Sequence, residues 1–226
     1  MFLLKKVSIL LVSAIATGLF AACSNSNTGK LSTPAIDTTK VSPTATPTAT
    51  SPTSTPSPAI DVKLPELEIG ELEPYKHRSS ILVMDVPKGW KVVDSSQIGE
   101  ILVTWTEKTG RAMISTNIFV PPSEIPESRL SEVFESIIKG MYGNQQDFSM
   151  RSPVVESSGN IAIEWTSTVT IGNQNLKFQA NSKLQRINNK LAILTYGAIE
   201  PKFTEIKDYF IKIANSQIIN DNLAIP

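Results

Sequence analysis

From Asn160 to Ile171 the chain alternates: Ile161, Ile163, Trp165, Val169 and Ile171 fall on one parity, and Glu164, Thr166, Thr168 and Thr170 on the other. A period of two with one apolar and one polar face is the pattern of a strand in an antiparallel sheet packed on one side. Leu176–Arg186 and Lys190–Ala198 are likewise rich in β-branched and aromatic residues, and the dipeptides Gly172-Asn173 and Asn188-Asn189 separate the three segments. Junctions this short make hairpins, not crossovers. Ile81–Val86, Gly99–Glu107 and Arg111–Val120 read the same way, with Thr109-Gly110 as the turn between the last two.

Two segments keep a helical period instead. Leu130, Val133, Phe134, Ile137, Ile138 and Met141 form one apolar stripe after Pro126, with Ser128 as a candidate cap and Gly143 as the stop. Phe203, Ile206, Phe210 and Ile213 repeat the stripe after Pro201. Both faces are expected to pack on the sheet, the alternative being a helix offered to a partner groove. The fold class expected is therefore α+β, an antiparallel β-sheet packed with helices.

Nothing of the kind precedes residue 60. Val41–Pro58 reads VSPTATPTATSPTSTPSP, a run that cannot build a core, and its prolines favour extended polyproline II segments. Ser24–Asp61 would span on the order of 100 Å if extended at about 3.1 Å per residue, and roughly 35 Å as a flexible coil. A disordered spacer is expected here, with an O-glycosylated or partner-binding stalk as the alternative. Residues 1–22 have the layout of a cleaved signal: Lys5 and Lys6, an apolar run from Val7 to Phe20, then small residues. That run is shorter than the roughly 20 residues needed to cross a bilayer.

Leu19-Phe20-Ala21-Ala22-Cys23 resembles the bacterial lipoprotein lipobox, in which the cysteine is acylated and the signal is cut before it. Cys23 is the sole cysteine of the chain. The resemblance makes it the lipidation site and places the rest outside the cytoplasm on a bacterial membrane, at the cell surface, in the periplasm or in a thylakoid lumen. The other reading is an ordinary secretory signal with Cys23 incidental. Each buried CH₂ adds about 0.8 kcal/mol, so two or three acyl chains hold where one would exchange. The organisation expected is a signal at 1–22, a lipid-anchored linker at 23–62, an acidic lead-in at 63–74, a globular domain at 75–220 and a tail at 221–226. The lead-in carries five acids against Lys63; it is read as a solvated approach pinned by Leu64, Leu67, Ile69 and Leu72, or alternatively as a cation or basic-partner site.

Tyr75, the corner Pro87-Lys88-Gly89-Trp90 and Ser216 after the last helix, together with the element order, resemble the PsbP-like α/β/α sandwich over roughly residues 75–220. Gln217 departs from it, standing where the family often has an aromatic. The resemblance implies a secreted or lumenal domain of a family that includes photosystem II accessory proteins and bacterial lipoproteins.

Charge and chemistry narrow the function further. With 21 Lys+Arg against 21 Asp+Glu there is no basic excess for a nucleic acid. One cysteine and one histidine exclude a disulfide scaffold and an intrachain Cys/His metal cluster. No Walker A run, dinucleotide fingerprint, HExxH, GxSxG or calcium-loop spacing occurs. His77, between Lys76 and Arg78, is expected at the surface. Asp85, Glu100, Glu107, Glu156 and Glu164 are read as outward, solvated strand positions over a carboxylate pair, and Trp90, Trp105 and Trp165 as packing residues over a stacking platform. The expectation is a non-enzymatic chain with no cofactor, no metal and no catalytic residue. It would act as an accessory or docking protein on a membrane-associated protein complex, at photosystem II assembly if the host is oxygenic. The alternative is a lipoprotein that binds a small ligand, carbohydrate or cation.

Overall fold

A computed structural model describes Leu67 and residues 69–226; the signal segment, Cys23 and the linker lie outside the described residues. Eight strands form the main sheet: β3 (Lys91–Asp94), β4 (Glu100–Thr106), β5 (Ala112–Phe119), β6 (Gln146–Met150), β7 (Val154–Val155), β8 (Ile161–Ile171), β9 (Gln174–Ile187) and β10 (Lys190–Ile199). Their order is β3-β4-β5-β10-β9-β8-β6, with β7 also paired to β8, and every pair is antiparallel. β1 (Leu72–Lys76), β2 (Leu82–Pro87) and β11 (Ile218–Ile219) make a second, three-stranded sheet in the order β1-β2-β11. The helices are α1 (Leu130–Tyr142), α2 (Lys202–Glu205) and α3 (Lys207–Ser216). The class is α+β, as the sequence patterns require.

The expected hairpins form where the turn dipeptides stand. Ile171 pairs with Gln174 across Gly172-Asn173, and Ile187 with Lys190 across Asn188-Asn189, where Asn188 takes the positive φ of 53° that such a turn needs. β10 lies between β5 and β9 and is buried along both faces, so its two parities serve two cores. Ala192, Leu194, Tyr196 and Ala198 join Ile101, Val103, Trp105 and Ile114 under β2, α2 and α3. Leu191, Ile193 and Ile199 join Ile163, Trp165 and Leu184 under α1. The helix meets them with Leu130, Phe134, Ile138 and Tyr142, one side of its stripe.

Trp165 anchors this second core. It stacks on Tyr142 with ring centroids 4.4 Å apart and lies within 6.0 Å of Phe178. Its Nε1 donates to Ser182 Oγ at 3.0 Å, and that hydroxyl bonds Thr195 Oγ1 at 2.8 Å, which leaves the indole N–H satisfied in an apolar setting. In the first core Tyr196 stacks on Phe210 at 5.1 Å. Trp90, Trp105 and Trp165 are all buried, which leaves no aromatic platform.

Two helix details depart from the sequence pattern. Ser128 caps nothing: a 3-10 turn over Glu127–Arg129 leads in, and α1 starts after Arg129 without a side-chain cap. The C-terminal stripe is broken at Ile206, whose φ of −103° and ψ of 10° separate α2 from α3. The approach and the tail are also built into the fold. Leu67 is buried in the first core, Leu72 opens β1, Lys190 Nζ donates to the Asp221 carbonyl at 2.7 Å, and the Gly99 amide donates to the Pro226 carbonyl at 2.6 Å.

Candidate functional site

His77 follows β1, where alternation carries Tyr75 and His77 to the same side. The Tyr75 ring meets Trp105 edge-on, 5.0 Å between centroids. His77 was expected at the surface, and the structure corrects this: it is 2% exposed. What buries it is the turn between β3 and β4, which folds over the ring. Nε2 lies 3.3 Å from Ser96 Oγ and 3.4 Å from Asp94 Oδ2. On the other side the Ser79 amide donates to Nδ1 at 3.2 Å, and Ser79 Oγ is 2.7 Å from the same atom. An amide can only donate, so Nδ1 is an acceptor, and in the neutral ring the proton sits on Nε2.

Both hydroxyls are also tied to the backbone. The Ile81 amide donates to Ser79 Oγ at 3.3 Å and the Leu102 amide to Ser96 Oγ at 3.1 Å. The imidazole thus braces the β1–β2 turn against the β3–β4 turn. The Ser96 hydroxyl above all, then the Ser96 amide and the charges of His77 and Arg78, hold the Asp94 carboxyl below the usual carboxylate range against the opposing effect of burial.

The braced turns wall a pocket of about 500 Å³, with Ile101 and Pro226 among its apolar lining and Ile98 at its mouth. Ile98 is 96% exposed, at the tip of the hairpin where Gly99 takes φ 81°. Arg78, 74% exposed, reaches Asp94 through Nε at 3.7 Å and makes no hydrogen bond to a described residue. Glu100 also lines the pocket, but its carboxylate is occupied: Oε2 accepts from Gln97 Nε2 and Oε1 from Asn117 Nδ2, both at 2.8 Å.

The remaining carboxylates do not converge. Glu156 pairs with Lys183 at 2.9 Å and Glu164 with Arg151 at 2.7 Å, and Asp85 is half-buried on β2. Glu107 is a correction, since it was expected in solvent and is 3% exposed. The turn after β4 curls back so that its Oε2 accepts from the Thr109 amide at 2.8 Å and from the Thr109 hydroxyl. Among the described residues, no three His, Cys, Asp or Glu side chains are grouped to hold a metal, and no helix is long and apolar enough to cross a membrane.

Sequence reasoning named His77 but missed Asp94, Ser96 and Ile98. The one signal available was the parity shared by Tyr75 and His77.

No family model matches this chain, and no curated protein matches it. Solved structures similar to it include cyanobacterial PsbP (CyanoP) from Synechocystis sp. PCC 6803, at 16% identity over 70% of this chain and 97% of that one, with a TM-score of 0.45. The Ran-binding protein Mog1p of Saccharomyces cerevisiae is similar at 5% identity over 66% and 96%, TM-score 0.44. LpqN of Mycobacterium tuberculosis, involved in cell envelope biogenesis, is similar at 12% identity over 66% and 91%, TM-score 0.41. The fold class of this chain rests on its own strand pairing.

Proposed function

We propose that this protein is a lipid-anchored extracytoplasmic domain of PsbP-like type that works as a non-enzymatic accessory protein, docking on a membrane-associated protein complex. In an oxygenic host that complex would belong to photosystem II assembly. The observation that carries the docking is Ile98, a large aliphatic side chain held in solvent by a braced turn at the mouth of an apolar-lined pocket. Burying such a side chain is worth roughly 1.5–3 kcal/mol, which a partner recovers on contact. The lipobox at Cys23 and the Pro/Thr-rich linker supply the membrane attachment and the reach.

The test is affinity capture of the native lipoprotein from its own membranes, with mass spectrometry and with Cys23→Ala as control. Recovery of a stoichiometric membrane complex is expected with the native protein, together with release of the mature Cys23→Ala protein from the membrane fraction. Recovery of the protein alone, or unchanged membrane retention of the mutant, contradicts the proposal.

A second reading, a small-ligand lipoprotein, is favoured by the pocket volume, which falls in the range of ligand cavities. Thermal shift against metal and sugar panels separates the two, because a ligand at a hundred times its Kd adds about 2.7 kcal/mol of stability.

A further inference from the structure

We infer that the pocket between the β1–β2 and β3–β4 turns receives a peptide segment of the partner protein in which a carboxylate side chain stands beside an apolar one, the carboxylate meeting Arg78 and the apolar group meeting Ile98. The inference rests on the docking reading above and specifies the partner's chemistry.

The charge comes from the state of each ionic group at the site. Asp94 is engaged by Ser96, His77 and Arg78, and Glu100 by Gln97 and Asn117. Arg78 has one long contact through Nε and no hydrogen bond to a described residue, so its guanidinium fork is open to an incoming carboxylate, which it matches geometrically. Ile98 extends the apolar lining of Ile101 and Pro226 outward. A ligand that satisfies both features has an acid and a hydrophobe within a few ångströms of each other. A short extended peptide provides that spacing between neighbouring side chains.

The position of the pocket favours a protein over a lipid surface. The chain enters the described domain at the other end of β1. Gly70 lies against Lys88, the Tyr209 hydroxyl donates to the Gly70 carbonyl at 2.8 Å, and the Lys88 amide donates to the Glu71 carbonyl at 2.8 Å. From Gly70 to His77 the extended chain covers roughly 20 Å at about 3.3 Å per residue. The linker therefore attaches at one end of β1, and the pocket opens at the end remote from that attachment.

The test uses the full lipidated chain in detergent and three labelled probes, acetyl-Leu-Glu-Leu-Glu amide and its Lys and Ser counterparts, with binding read by fluorescence anisotropy. The Glu probe is expected to bind at least about tenfold more tightly than the Lys probe, a difference of about 1.4 kcal/mol. Arg78→Glu should invert that order, and Ile98→Ser should weaken the Glu probe about tenfold. Both residues are exposed, so both variants should melt as the native chain does. Equal binding of the three probes, or binding that survives both substitutions, overturns the inference. So does a concentration-dependent dimer abolished by Ile98→Ser, which would make a second copy the occupant, and so does vesicle flotation of the Cys23→Ala chain lost with Ile98→Ser, which would make it lipid. The probes need neither the anchor nor a native complex. Loss of the acidic preference therefore counts against this inference alone, and failed capture with the preference intact counts against the docking reading alone.

Discussion

Tyr196 shows how much the surroundings of one residue settle. Its ring is stacked in the first core, and burial, with smaller contributions from Glu156 and Glu164, pushes its phenol up to about 12. An unfolded tyrosine ionises at about 10, so the native state keeps a proton that the unfolded chain has already lost. The stability tied to this group is present in full below about pH 10 and is lost as pH rises toward 12. Tyr209, also pushed up to about 12 by burial, acts with the same sign. Tyr196→Phe should flatten the alkaline loss, read as the urea midpoint from about pH 9 to about pH 12; an unchanged slope would mean that the phenol is not held neutral. At this scale the sequence was legible where a side chain's fate follows its own strand. Trp165 is buried because Ile161 and Ile163 share its parity. His77 was not legible, because Asp94 and Ser96 come from another strand and another turn, Ser96 lying 19 residues away. Glu107 was misread because its shield, Thr109, sits inside a turn whose curl no alternation encodes.

The hairpin elements were legible for a physical reason: long alternating runs and turn dipeptides are local signals, and β8, β9 and β10 carry both. β1, β3, β6 and β11 were not expected. Each is five residues or fewer, and each exists through pairing with a stronger neighbour, not through a pattern of its own. β9 and β10 also show a constraint that alternation hides. A Cβ at Gly197 would come within 2.6 Å of the Phe178 ring and 2.7 Å of the Gln179 carbonyl, in a row of close-packed strands. Gly197→Ala should cost about 1–3 kcal/mol by overpacking, measured as a lowered melting temperature; a neutral result would show that the sheet yields at this point.

For the whole molecule, the layers follow from β10 being apolar on both parities: one face takes α1, and the other takes β2, α2 and α3. The candidate site stands outside this logic. It arises where the ends of two sheets meet, braced by His77 and bounded by Pro226, so it depends on how β1–β2 packs over β4 and not on any one segment. That is why the sequence supplied the fold class and the expected anchor at Cys23 but not the surface through which docking is proposed.

The most direct test of that surface is site-specific photocrosslinking in native membranes, with the crosslinking residue placed at Ile98 and, as control, at Val154, which is also exposed but lies at the β7 edge. A single protein crosslinked from position 98 and absent from position 154 is the predicted result. The same adducts from both positions, or none from position 98 in membranes that retain the protein, would contradict the account.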